Sequence, residues 1–266
     1  MRECLALVRA SWQTESSYRL NMALSLVSLA LVVVPLYFVS NALQPLMASS
    51  IAQQSREYFA FTLIGALTFA LVSASISALP SALGAAIGRG TLEAFLATPT
   101  HPAVLFTGLS AYTVLWALVR GSVLLLAGVL LGVHVAWGNA LTGALIVALL
   151  LIAYAAVGLV GSSLLLCFRT TGPLLSGALT VSAFLGGVYY PTHVIPSWLQ
   201  EISKVLPLTY GLRALRQTAL RGDDFAAVSG DVAILALQTA LLLLIGTVSI
   251  AAALRHARRT GTLSHY

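Results

Sequence analysis

Long apolar runs separated by short polar segments dominate this sequence. Six runs hold roughly 20 residues or more, enough for a helix rising 1.5 Å per residue to cross a hydrocarbon layer about 30 Å thick. We place them at about 21–43, 59–83, 104–133, 139–167, 172–190 and 231–254. The pattern therefore predicts an all-α membrane protein with six transmembrane helices and both termini on one side.

The composition supports a membrane protein and excludes several other classes. Of 266 residues, 59% are hydrophobic and only 8% are charged, which is too apolar for a soluble domain with an ordinary surface. The formal charge is +6, but Arg and Lys are scattered instead of forming the basic stripe of a nucleic-acid-binding surface. We therefore expect no nucleic acid among the partners.

The distribution of basic residues predicts the orientation. If the amino terminus is cytoplasmic, more Arg and Lys fall inside than outside, as membrane proteins prefer. The inside set is Arg2, Arg9, Arg19, Arg89, Arg169, Arg255, Arg258 and Arg259, and the opposite set is Arg56, Lys204, Arg213, Arg216 and Arg221. We therefore expect cytoplasmic amino and carboxyl termini, the latter a basic tail at 255–266.

Two connections on the predicted cytoplasmic side carry structure of their own. Residues 1–20 are predicted to form an amphipathic helix that either lies on the membrane surface or packs on the bundle. Residues 88–100 predict a second short helix, in which Gly90 caps the start, Glu93 suits the positive end of the dipole and Pro99 ends the turn. Leu92, Phe95 and Leu96 share one face of that helix, and this apolar ridge fits either a groove in a partner or the lipid headgroup layer.

The segment between the last two runs, residues 191–222, predicts a helical hairpin on the outer side. Gly186, Gly187 and Pro191 break the fifth span. Residues 197–200 match a capping box that starts a helix ending before Pro207. A second amphipathic helix follows at 209–220, with Arg213 and Arg216 on one side and Gly222 as its cap. The hairpin is too short to span, so it is re-entrant or interfacial.

The placement of ionisable residues indicates which energy source the chain lacks. All eight acids lie outside the predicted spans or at their ends, whereas an ion-coupled carrier needs a buried carboxylate or an equivalent site. The only lysine, Lys204, follows no phosphate-binding glycine-rich loop, and the histidines have neither metal-ligand nor catalytic spacing. We predict no enzymatic site, no metal and no cofactor in this chain.

Taken together, these features resemble the type-2 ABC transporter permeases, the ABC-2 family. The resemblance covers nearly the whole chain: six spans, an amphipathic amino-terminal helix, the stretch 90–99 after the second span, and the stretch from Tyr189-Tyr190-Pro191 to Pro207-Leu208-Thr209-Tyr210 before the last. It implies a permease subunit of an ATP-driven exporter in the cytoplasmic (inner) membrane of a prokaryote. ATP and Mg would be bound by two separate ATPase subunits, and the second permease would be another copy of this chain or a homologue.

The resemblance also implies roles for individual residues. The cytoplasmic coupling helix, which docks on the ATPase, would use Arg89, Gly90, Thr91, Leu92, Glu93, Phe95, Leu96, Thr98 and Pro99. The outer gate, residues 186–207 and hereafter the gate segment, would include Gly186, Gly187, Tyr189, Tyr190, Pro191, Trp198 and Pro207. Its aromatic residues either face the pathway or anchor helices at the headgroups.

Arg120 stands alone near the middle of the third run. An unpaired charge at that depth costs about 2.5–3.5 kcal/mol on insertion scales, so it should face protein or water. Either it contacts a substrate or lipid headgroup in the pathway, or it is a structural residue bonded within the bundle.

The apolar, carboxylate-poor spans favour an amphipathic, drug-like or lipid-like substrate and membrane lipids as neighbours. The alternatives are a polysaccharide or ion exporter of the same family, or an ATP-independent carrier.

Overall fold

A computed structural model describes the backbone of residues 19–90, 102–168 and 172–260. All regular structure in these ranges is helical, as the apolar runs predict. The helices are α1 Arg19–Ile51, α2 Tyr58–Gly88, α3 Pro102–Leu130, α4 Ala140–Phe168, α5 Gly172–Leu185, α6 Ser197–Ser203, α7 Pro207–Arg216 and α8 Phe225–Thr260, with a π-helical turn at Gln217–Arg221 after α7.

Within the described ranges, five helices are long and apolar enough to cross a membrane: α1, α2, α3, α4 and α8. The fifth predicted span, 172–190, is represented by α5, an apolar helix of 14 residues. It rises only about 21 Å, because the chain turns at Gly187, whose φ of 80° is favourable only for glycine. The chain is a multi-pass membrane protein, and the count of six spans stays a prediction.

The core of the bundle is α2, which packs on α1, α3 and α4, while α4 packs on α8. The outer helices present apolar side chains to their surroundings, for example Leu31 of α1, Leu130 of α3 and Leu244 of α8. Such faces are normal where hydrocarbon borders the protein.

Glycines set the spacing between the central helices. A Cβ added at Gly158 of α4 would lie 2.6 Å from the carbonyl oxygen of Ile76, and one at Gly246 of α8 would lie 2.6 Å from that of Ala156. Backbones therefore approach directly at both contacts, as small residues allow in membrane helices.

One end of the bundle collects the connections 52–57 and 131–139 with residues 186–224, and we call it the capped end. Arg221 donates to the carbonyl of Gln53, and the amide of Ala136 donates to Ala219. These hydrogen bonds tie the π-helical turn to both connections.

The predicted hairpin is present as two short helices, α6 and α7. The predicted capping box at its start is wrong. Pro196 occupies the N-cap position without a side-chain bond, and Gln200 Nε2 donates instead to the carbonyl of Ile195 at 2.8 Å. Pro207 is the first residue of α7, and Gly222 ends the π-helical turn with a φ of 76°, as predicted for a cap.

Several predicted elements lie outside the described residues. These are the amino-terminal helix except for its last two residues, the coupling helix beyond Gly90, and the tail after Thr260.

Candidate functional site

The gate segment touches α2 directly at one glycine. A Cβ on Gly65 would lie 2.1 Å from the carbonyl oxygen of Val188 and 2.6 Å from Nη2 of Arg216. Only hydrogen fits between these groups. The glycine therefore lets the broken chain after α5 and an arginine of α7 meet on the surface of α2.

Arg216 is the centre of this contact. Its side chain is fully buried, and it donates from Nη1 to the carbonyl of Gly187 and from Nη2 to that of Val188, both at 2.8 Å. Its Nε donates to the carbonyl of Phe61 in α2 at 3.2 Å, and its guanidinium lies 3.4 Å from the centre of the Phe61 ring. One side chain thus joins α7, the gate segment and α2.

No carboxylate pairs with Arg216 among the described residues. Carbonyl dipoles and the Phe61 ring take the place of a counter-ion, which charged donors and aromatic faces permit. Burial lowers the pKa of Arg216 to about 9, so the group stays protonated at neutral pH. Because a buried charge is costly unless fully bonded, Arg216 holds its three partners in fixed positions.

Further hydrogen bonds fasten the gate segment at both of its ends. The Tyr58 hydroxyl, at the start of α2, donates to the carbonyl of Tyr189 at 2.8 Å. At the other end, Ser203 Oγ donates to the carbonyl of Leu185 at 2.7 Å. The segment is therefore bonded to α2 and to the end of α5.

A second arginine joins α7 to α8. Arg213 donates from Nε to Asp231 Oδ2 at 2.6 Å, and its Nη2 also bonds Asp231. The sequence placed Asp231 at the start of the last span, but α8 begins earlier, at Phe225, so this acid lies inside the helix. Its side chain is only 15% exposed, and Arg213 neutralises it.

The predicted gate residues differ in their exposure. Gly186, Gly187, Pro191 and Pro207 are buried. Trp198 and Tyr189 are exposed, with 66% and 41% of their surfaces accessible. Both aromatic residues therefore keep free surface for a pathway, a partner or the headgroup layer.

Arg120 is separate from the gate. It borders a cavity of about 110 Å³ between α1, α2 and α3, lined by Leu29, Ala70, Ala74, Ala117, Gly121 and Leu124. None of these residues belongs to the gate segment. Among the described residues, no carboxylate forms an ion pair with Arg120.

Arg89 and Gly90 close α2 on the side opposite the capped end. Arg89 is the C-cap, and the amide of Gly90, at a φ of 67°, donates to Ile87. Gly90 therefore caps the end of α2. The other predicted coupling residues, Thr91, Leu92, Glu93, Phe95, Leu96, Thr98 and Pro99, lie outside the described residues.

Two larger cavities complete the site. A polar cavity of about 750 Å³ opens at the capped end beside Arg56, Glu57, His134, Arg221 and Asp223. An apolar crevice of about 810 Å³ runs between α4, α5 and α8 beneath the α6–α7 junction. In the parts of the chain that are described, no group of three or more potential ligands could hold a metal ion.

Sequence reasoning misjudged Arg216, which it placed beside Arg213 on a polar face. The missed signal is the spacing of Leu208, Leu212 and Arg216. The arginine follows Leu212 by four residues and Leu208 by eight, so it continues their buried row. An arginine that continues an apolar stripe points inward.

In a comparison with protein-family models, residues 2–220 match a family described as ABC-2 type transporter. No curated protein matches the chain.

Proposed function

We propose that this chain, which belongs to the ABC-2 type transporter family, is the membrane subunit of an exporter driven by a separate ATPase. The working unit contains two copies of the chain, or one copy with a homologue, and two ATPase subunits that bind ATP and Mg. It lies in the inner membrane of a prokaryote with both termini cytoplasmic. Its substrate is amphipathic, of a drug-like or lipid-like kind.

The continuity of α2 carries this proposal. The helix has 31 residues and so rises about 46 Å. At one end Tyr58 bonds the gate segment, and Phe61 bonds Arg216 a turn later. At the other end α2 stops at Gly88, directly before the predicted coupling helix. A tilt of α2 at the ATPase therefore moves the groups that hold the gate.

The transport cycle follows from this link. ATP binding closes the ATPase dimer and displaces the coupling helices at residues 90–99. Each α2 moves as a rigid body and carries the buried contacts around Arg216 with it. The gate segment is thereby biased between its closed and open positions, and hydrolysis resets the cycle.

The depth of the α6–α7 junction supports a re-entrant hairpin. Gln238 Nε2 donates to the carbonyl of Lys204 at 3.1 Å, and Gln238 lies 13 residues after Phe225, or about 20 Å along α8. The exposed pair Lys204–Glu201 is at the same level. Because charges avoid hydrocarbon, this face of the hairpin borders water in the pathway between two copies.

An ATP-independent carrier is the second candidate, and Asp231 is the observation that bears on it. This is a partly buried carboxylate on a membrane helix, the kind of group that couples transport to ions. Its bidentate bond to Arg213 occupies both oxygens, so it is not free to exchange a proton with substrate movement. We therefore favour the ATP-driven exporter.

The test is reconstitution with the partner ATPase in liposomes. We expect transport of a dye-like amphiphile only when both subunits and ATP are present. In a binding assay, Phe95→Asp should weaken the association with the ATPase at least about tenfold, or by about 1.4 kcal/mol. The matched control is Phe225→Asp at the capped end, which should bind normally. Full transport by the chain alone would overturn the proposal, and compounds that stimulate ATP hydrolysis would identify the substrate.

A further inference from the structure

The apolar crevice has the shape and lining of a site for a hydrocarbon chain. Its volume is about 810 Å³, and α4, α5 and α8 form its walls. Along α5 it extends from Pro173 to Ser182, which is about 14 Å of helix. The two hydroxyl groups on its walls, those of Tyr154 and Ser182, bond each other at 2.8 Å. The walls therefore present apolar surface.

The rim of the crevice differs from its walls because it carries charge. Lys204 lines the rim, and its Nζ lies 2.6 Å from Glu201 while its side chain remains 59% exposed. Lys204 can therefore donate to a second anion without leaving Glu201, since an ammonium group has three donors.

Gln238 of α8 fastens the same rim. Its Nε2 donates to the carbonyls of Lys204 and Val205, which fixes the orientation of the amide. Its Oε1 is then buried, and no donor reaches it within the described part of the chain. Gln238 therefore holds the rim in place, and its buried oxygen lies out of reach of a molecule in the crevice.

We propose that the crevice binds one membrane phospholipid whose headgroup carries an ammonium group with N–H donors, as phosphoethanolamine does. An acyl chain lies along α5, the phosphate accepts from Lys204, and the ammonium donates to Glu201, both of whose side chains are exposed. A phosphocholine headgroup has the same phosphate but no N–H donor. It can therefore accept from Lys204 but cannot donate to Glu201. The inference requires the chain to be embedded in a membrane and does not depend on an ATPase.

Charge complementarity is the reason for choosing a lipid over a second copy of the chain. An apolar groove between two copies would bury Lys204 and Glu201 against another protein surface, and each would need a matching polar group there. A phospholipid supplies the phosphate, the ammonium N–H donors and the acyl chain in a single molecule.

The test uses native mass spectrometry of the full chain, purified from nanodiscs that contain equal amounts of phosphatidylethanolamine and phosphatidylcholine. We expect one retained lipid per chain, with the ethanolamine form preferred about tenfold. Gly177→Leu should abolish retention, because a Cβ there meets no atom within 4 Å and the side chain enters the crevice. Lys204→Gln should lower retention of both lipids.

Gly230→Leu is the matched control. It lies in α8 away from the crevice, it also has open space around its Cβ, and it should retain lipid like the unmodified chain. Equal lipid retention by the two leucine variants, or equal binding of the two lipids, would overturn the inference. So would Gly177→Leu converting dimers to monomers with lipid unchanged, since a second copy would then fill the crevice. Lipid retention by a chain that fails to transport with any ATPase would sink only the exporter proposal.

Discussion

At the scale of single residues, Arg216 and Gly65 depend on each other. The guanidinium reaches three carbonyls of two separate segments, and the missing side chain of Gly65 leaves the space through which it passes. A buried arginine without a carboxylate is rare because desolvation is costly. Arg216 is buried here because each carbonyl that it bonds would lose a hydrogen-bond donor without it.

Replacing Arg216 tests this account. Arg216→Met should lower the free energy of unfolding by about 3 kcal/mol or more, because it leaves buried carbonyl oxygens without donors. Arg221→Gln, which removes an exposed arginine of the same segment, should cost at most about 1 kcal/mol. Thermal unfolding of both variants in one detergent measures the difference. Equal losses would show that the buried network contributes no more than a surface pair.

At the scale of helices, the bundle is held by direct backbone approach along α2, α4 and α8. Gly158 and Gly246 are the points of contact. Hydrocarbon gives apolar side chains little reason to associate, so close packing provides much of the attraction between membrane helices. Side chains added at these positions would force the backbones apart.

Gly158→Ala should therefore destabilise the bundle by about 1–3 kcal/mol, the usual cost of overpacking. Its control is Gly230→Ala, which has open space and should be neutral or stabilising by up to about 1 kcal/mol through helix propensity. The unfolding midpoints of Gly158→Ala and Gly230→Ala measure this difference in stability. A Gly158→Ala protein as stable as the control would mean that α4 moves away from α2 without loss.

At the scale of the whole molecule, the hairpin and α8 carry exposed surfaces of opposite character. Glu201 and Lys204 are exposed beside the middle part of α8, while Leu244 of the same helix is also exposed, at 62%. The two exposed surfaces must face different surroundings, since hydrocarbon accepts leucine and rejects the ion pair. We expect water on one side of the hairpin and lipid around Leu244.

Thiol labelling of intact cells distinguishes these surroundings. In a chain with Cys4 and Cys167 replaced by serine, Glu201→Cys should react with a charged, membrane-impermeant reagent added outside, at least about tenfold faster than Leu244→Cys, because thiolates form in water. Labelling only after the inner side is exposed would reverse the proposed orientation. Equal, slow labelling at both positions would place the hairpin in lipid.

Much of the architecture could be predicted because residues that are adjacent in the sequence determine a membrane helix. A run of apolar residues long enough to cross hydrocarbon must be helical, since no water satisfies its backbone there. Gly187 and Gly222 lie at breaks where their backbone preferences require them, and Pro207 begins α7. The capping box predicted at Ser197 was wrong. The local motif does not decide whether Pro196 or Ser197 is the N-cap, and in the structure Pro196 takes that position.

The sequence by itself thus determined the helical membrane fold, the positions of its breaks and its family resemblance, because each of these depends on residues near one another in the chain. Tertiary structure alone decided that Arg216 turns inward, that Asp231 is neutralised by Arg213, and that Arg120 lies apart from the gate. Those outcomes depend on groups brought together from distant helices, as Phe61 and Gly187 are brought to Arg216. Burial and hydrogen bonding, which no single segment contains, assign such side chains their roles.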